Sequence, residues 1–490
     1  MPAMPELDDL TLLGEALQAM RNASTLPYPQ TPAALLQALR PILLDAAQQL
    51  GAGAPYAHPY YLGHMLKPAH PAARLGYAAA LWLNPNNHAF DGGRASSQME
   101  IEAVAQIARM FGWGNAIGHL CSGGTVANLE ALWISREAAR AALPPSAPLP
   151  GIAASALAHY SHARAASLLG VPFHAVPVDA HGRMDPTALR QLLARESIAT
   201  VVATLGTPAC GAVDPLGAIA DLCLSQGIRL HADAAYGGYF ALASNLDHAS
   251  TCALAAMPRA DSIVVDPHKH GLQPYGCGCV LLRDPTLRRF YAHAPGYAYV
   301  ASDEPHLGTI SLECSRPGAS AVALWCTQRQ LPPVRGGVFA QGLESSRQAA
   351  LMLWRALRQD ARFATPFPPE LDVVVWAVRA PTARAASDCA RRLHATAQAM
   401  DLHLSLATLP RAMLEACSPV EVWDAQELVV LRACVMKPEH LAWMERILAK
   451  LDAAARDARS RPATASPLSA CNTSSGLGPG SRLTTQGIWP

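Results

Sequence analysis

Asp266-Pro-His-Lys-His, at 266–270, places a lysine amine directly after the β-rich run Ser262-Ile-Val-Val. At the mouth of a sheet, Lys269 stands where catalytic groups gather, although a loop lysine can also be merely solvated. Its neighbours His268 and His270 either contact an anion or stay in water. A second group is His231-Ala-Asp-Ala-Ala-Tyr-Gly-Gly, in which Asp233 ends an apolar strand. A carboxylate there needs a cationic partner, because an unpaired buried charge is costly. A protonated pyridine nitrogen meets that need and makes its ring an electron sink; the alternative is a helix N-cap. A third group, Cys121-Ser-Gly-Gly-Thr-Val-Ala-Asn-Leu-Glu, sets small residues ahead of a helical run from Val126 to Arg140. Such a turn offers backbone N–H groups and a positive dipole end to a phosphate, or is an ordinary capped helix start. Ala158-His-Tyr-Ser-His adds an imidazole able to stack on a ring or donate to a substrate. Glu313-Cys-Ser-Arg-Pro-Gly sets an arginine ahead of a helix.

The elements that position these groups alternate. Between about 115 and 285, β-rich runs such as Thr200-Val-Val-Ala-Thr-Leu and Arg229-Leu-His-Ala-Asp are separated by helical segments at 186–195 and 215–226. That alternation predicts an α/β fold with a mostly parallel sheet covered on both faces. Ahead of it, residues 1–50 read as two amphipathic helices broken at Pro27-Tyr28-Pro29, and 55–71 as a loop. A helix is expected at 98–111 and another at 338–358. Val373-Val-Val-Trp-Ala-Val and Glu427-Leu-Val-Val-Leu-Arg-Ala read as strands of a smaller α+β domain. The expected organisation is an N-terminal helical segment (1–85), a large domain (86–330), a small C-terminal domain (331–456) and a disordered tail (457–490). The tail is rich in Ser, Thr, Pro and Gly.

The chain has 490 residues, 51% of them hydrophobic, enough for a large core. Its 38 basic and 37 acidic residues leave a net charge of +1, which argues against a nucleic-acid or membrane-surface partner. The twelve cysteines contain no CxxC pair and read as free, mostly buried thiols. No metal site is expected. The first 20 residues lack a signal-peptide pattern. No uncharged apolar run reaches the roughly 18 residues of a membrane span. The expectation is a cytoplasmic enzyme.

Taken in order, these blocks resemble the group II pyridoxal-phosphate decarboxylases, which include aromatic-amino-acid, glutamate, histidine and tyrosine decarboxylases. The resemblance runs from His58 to Trp325. It covers Asn84-Pro through Met99-Glu100, Ser122-Gly-Gly-Thr with Ala127-Asn128, Ala158-His, Thr204-Leu-Gly-Thr, Asp233-Ala-Ala-Tyr-Gly-Gly, Asp266-Pro-His-Lys and Ser315-Arg. It implies an aspartate-aminotransferase-like fold (fold type I) and a homodimer with active sites at the subunit interface. It implies pyridoxal 5'-phosphate held by Lys269 as a Schiff base, with Asp233 on the pyridine nitrogen and His159 stacked over the ring. Ala235 then packs under the ring, Gly124 and Thr125 form the phosphate turn, and Ser262 and His268 add phosphate contacts. The reaction implied is decarboxylation of an L-amino acid to an amine and carbon dioxide.

Three departures from the family pattern bear on function. Relatives carry a tyrosine on a mobile loop ahead of the Ser-Arg segment; an ungapped count puts that position at or near Pro305. His306, one residue on, is either the proton donor to the α-carbon, reaching across the dimer interface, or an ordinary surface-loop histidine, with Tyr297 and Tyr299 the next candidates for the donor. Gly206-Thr207-Pro208 replaces the family's Gly-Thr-Thr and loses one hydroxyl near the cofactor. In the substrate-lining region stand His64, Met65 and Lys67, and Lys67 either pairs a substrate's side-chain carboxylate or is solvated. Aldehyde-forming oxidation, carbon–carbon lyase chemistry and transamination are the competing reactions. A non-catalytic binding protein fits poorly with an intact Lys269, Asp233 and His159.

Overall fold

Strands buried on both faces belong inside a sheet that is covered on both sides. Ile198–Thr204 keeps one partly exposed residue among seven, and Ser262–Val265 keeps none. The computed structural model, which describes residues 7–291 and 306–460, places both in a central seven-stranded sheet. Its strands are β1 (Ile117–Cys121), β2 (Gly151–Ser155), β3 (Phe173–Val176), β4 (Ile198–Thr204), β5 (Arg229–Asp233), β6 (Ser262–Val265) and β7 (Gly278–Leu282). Their order is β1-β7-β6-β5-β4-β2-β3, and β7 runs antiparallel to both its neighbours. The parallel strands bring their carboxyl ends to one edge, where the turns that follow them converge.

The helices that matter here are α1 (Leu7–Ala23), α2 (Ala33–Gly51), α3 (Pro71–Leu81), α4 (Phe90–Met110), α5 (Gly124–Ala142) and α6 (Ser161–Leu169). Helix α4 starts eight residues before the expected 98, because the chain is already helical ahead of Gly93, whose ψ of 58° breaks the regular geometry. Helix α2 buries none of its residues, and Leu35, Leu36, Leu39, Ile42, Leu43 and Leu44 all stand exposed. Among the described residues no helix is long and apolar enough to cross a membrane.

A second, antiparallel sheet has the order Ser405–Pro410, Glu427–Cys434, Val373–Val378, Phe363–Ala364. The helices Val338–Gln359, Ala383–Ala399 and His440–Ser460 share its core, at whose centre Trp376 is fully buried. Trp376→Ala is expected to cost about 3–5 kcal/mol of unfolding free energy, the range for emptying a large aromatic site. Urea unfolding checks this, and a loss below about 1 kcal/mol would contradict the packing described. The final helix runs to Ser460 and so takes in Asp457, the residue at which the tail was expected to begin. Its last turn belongs to the packed structure, and residues 461–490 lie outside those described.

Candidate active site

Four turns meet at the carboxyl edge of the large sheet. The turn after β1 leads into α5, whose first N–H groups, those of Gly124 and Thr125, have no acceptor within the helix. Glu313 braces this turn, its Oε2 accepting from Ser122 N–H at 2.9 Å. Glycine is required at 124, since a Cβ there would stand 2.6 Å from Asp266 Oδ2. The loop after β2 carries His159, β5 ends on Asp233, and the turn after β6 carries Asp266, His268 and Lys269. Gly124, Thr125, His159, Asp233, Ala235, His268 and Lys269 line one cavity of about 680 Å³.

Lys269 Nζ lies 3.0 Å from Asp266 Oδ2. Burial works to lower its pKa, but the carboxylates of Asp266 and Asp233 outweigh it and hold the amine above its ordinary value. Asp233 shows the converse balance. Burial favours the neutral acid, yet the His162 hydrogen bond, with the charges of His162 and Lys269, keeps its pKa below the usual carboxylate range. His159 Nδ1 is 2.7 Å from Ser161 Oγ, and burial lowers its pKa. His268 stacks against Tyr275 at 4.8 Å, and its Nδ1 is buried without a partner among the described residues. Ala235 N–H donates to Asp233 Oδ1 at 3.2 Å.

Three expected site residues fall elsewhere. Ser262 opens β6, three residues before the strand's carboxyl end, or about 10 Å along a strand. Its hydroxyl is 2.8 Å from His231 Nδ1 and it does not line the cavity, so the structure engages it with His231 rather than at the phosphate turn. His306 is buried, its Nδ1 accepts from Phe90 N–H at 3.3 Å, and it does not line the cavity of its own chain. A ring held this way anchors the start of α4. Tyr297, Tyr299 and Pro305 lie outside the described residues. Lys67 turns away from the site: it lines a separate cavity, with Nζ 3.5 Å from His270 Nδ1, and burial lowers its pKa to about 8. His64 and Met65, by contrast, do line the first cavity, as does Pro208.

A match to the pyridoxal-dependent decarboxylase conserved domain covers residues 81–379, more than half of the chain. The chain belongs to the pyridoxal-dependent decarboxylase family. Among relatives of this decarboxylase, a probable L-tyrosine/L-aspartate decarboxylase of Methanothermobacter thermautotrophicus is 29% identical over 64% of this chain and 82% of that one. A probable L-aspartate decarboxylase of Halobacterium salinarum is 35% identical over 54% of this chain and 71% of its own. An aromatic-L-amino-acid decarboxylase of Bacillus atrophaeus is 27% identical over 82% of each. Mouse CSAD in apo form shares the fold with a TM-score of 0.72 at 21% identity, over 92% of this chain and 99% of that one. The chain is therefore a lyase of fold type I that uses pyridoxal phosphate, and decarboxylation stands ahead of the competing reactions.

The cavity of this decarboxylase fits that cofactor. It offers an ionised carboxylate at the end of β5, an imidazole beside it, a helix start for an anion and a lysine amine. Two features escaped the sequence reading, and Arg316, noted there only as an arginine ahead of a helix, gains a role. His162 holds Asp233, its Nε2 2.8 Å from Oδ2. Arg432, from the second sheet, lines the cavity with its Nε unpartnered among the described residues. Arg316 is structural, tying Glu100 at 2.7 Å and the Leu120 carbonyl to the start of its helix. For Arg432 a signal existed: a single charge inside the apolar run Leu428-Val-Val-Leu-Arg-Ala-Cys.

Proposed function

We propose that this decarboxylase acts on an L-amino acid with an acidic side chain, of the aspartate type. Buried Arg432 carries the reading. Among the described residues its Nη1 reaches Ser405 Oγ at 3.1 Å and the Gly63 carbonyl at 3.4 Å. A buried guanidinium facing a cavity calls for an anion. The carboxylate lost as carbon dioxide sheds its charge, so a fixed cation there would hold the ground state more than the transition state. A side-chain carboxylate keeps its charge throughout and is the better partner. The L-aspartate decarboxylases among the relatives support this choice. Rings of Tyr56, Tyr61 and Tyr275 on the same cavity favour a second reading, an aromatic amino acid.

When bound, pyridoxal phosphate supplies a ring that withdraws electrons from the substrate's α-carbon. In this reading Asp233 holds a proton at the ring nitrogen, His159 packs on one face and Ala235 on the other. The N–H groups of Gly124 and Thr125, with His268, hold the phosphate. Lys269 anchors the cofactor and moves protons at Nζ. The chain works as a homodimer, which would cover the exposed leucines of α2, in a reducing cytoplasm that suits its eleven free cysteines among the described residues.

Arg432→Met is expected to lower kcat/KM for L-aspartate by about 100-fold, the scale of stripping one partner from a buried charge pair. The rate on L-tyrosine should change little. Wild-type enzyme that prefers tyrosine, or a variant that loses both activities alike, would sink the acidic reading.

A further inference from the structure

His162 sits in the first turn of α6, three residues after His159, and is fully buried. Its Nε2 lies 2.8 Å from Asp233 Oδ2, and its Nδ1 has no partner among the described residues. A carboxylate only accepts, so Nε2 carries the proton. The other charged or titratable groups that interact with the pair are His231 on β5, His159 before α6, Lys269 in the turn after β6 and Asp214, a buried carboxylate in the loop after β4 that accepts from Met184 and Thr204 N–H. None of them replaces this bond. His231 is spent on Ser262 Oγ and Asn128 Oδ1, each at 2.8 Å. His159 is turned to Ser161. Lys269 pairs with Asp266. Asp233 Oδ1 takes the N–H of Ala235, so both oxygens are aimed while each keeps accepting capacity toward the cavity.

We propose that His162 is the positioning residue of Asp233: its Nε2–H holds the carboxylate ionised and fixes the oxygens toward the ring nitrogen of the cofactor. This inference rests on Asp233 being the partner of that nitrogen. A buried carboxylate without such a donor would drift toward its neutral acid, which cannot retain a proton on a pyridine ring. His162 acts through Asp233 and touches neither substrate nor cofactor.

The test loads wild type, His162→Leu, His162→Gln and Asp233→Asn with pyridoxal phosphate labelled with ¹⁵N in the ring. The ¹⁵N shift is followed with pH, beside kcat and the melting temperature. Wild type should keep the ring nitrogen protonated across the working range. His162→Leu, which has no donor, should lose that proton at lower pH, with kcat about 10-fold or more below wild type, the scale of one hydrogen bond to a charged group. His162→Gln restores a donor and should recover much of both. A folded Leu variant with the wild-type titration would overturn the proposal. If Leu at 162 does not fold, Gln decides: titration like that of Asp233→Asn overturns the proposal, and near-wild-type titration supports it. A ring nitrogen that stays protonated in Asp233→Asn would instead refute the Asp233 reading, and this proposal with it.

Discussion

Lys269→Ala is expected to release no measurable carbon dioxide from any amino acid and to lose covalent attachment of pyridoxal phosphate. Among the described residues lining the cavity, Lys269 carries the one primary amine, and it stands at the carboxyl edge of the sheet beside Asp266. Lys67 and Lys437 cannot stand in, because both line the other cavity and Lys437 Nζ is tied to the Tyr61 carbonyl at 2.6 Å. Losing a general acid–base group alone costs roughly 10²–10⁴-fold. Removal of Lys269 also takes away the anchor, so the loss should reach or exceed the top of that range. Borohydride reduction of the loaded enzyme followed by peptide mass analysis checks the attachment. Cofactor mass found on the peptide containing residue 269 in wild type, and on none in the variant, is the expected result. Turnover by the variant, or a label on another lysine, would contradict it.

Asp233→Asn is expected to bind the cofactor and yet lose roughly 10²–10³-fold in kcat, as when one preorganised electrostatic contact is removed from an active site. The amide keeps the shape of the carboxylate and still accepts from His162, but it has no charge to hold a proton on the ring nitrogen. Because the carboxylate's pKa is depressed, it stays ionised in the folded enzyme until the pH falls through that lowered value. An acid limb of the rate profile at higher pH must therefore belong to another group. Measuring kcat and cofactor affinity separately distinguishes the outcomes. A variant with near-wild-type kcat would remove Asp233 from its role, whereas one that fails to bind cofactor would make the residue an anchor rather than an electronic partner.

What the amino-acid order determined by itself is the part of the site built within single turns. Asp266-Pro-His-Lys, Asp233-Ala-Ala and Ser122-Gly-Gly-Thr each span a few consecutive residues at a strand's carboxyl end. Their spacing is set by the chain, so they are readable without coordinates. The sheet was readable for a related reason: β4 and β6 are buried on both faces, and the helix Pro186–Leu193 ahead of β4 carries a periodic apolar stripe. Contacts made across the fold were decided by the tertiary structure alone. His162 and Asp233 are 71 residues apart and meet because β2 and β5 flank β4 in the sheet. Arg432 reaches the cavity from a different sheet, across a gap no local pattern describes. Position along an element also escapes a motif. Ser262 and Lys269 are seven residues apart, but Ser262 lies at the entry of β6 and Lys269 beyond its exit. Lys67 and Leu66 are adjacent, yet they line different cavities. Side-chain direction there is set by packing against the His270 ring and the Met436 carbonyl, groups 203 and 369 residues away in the chain.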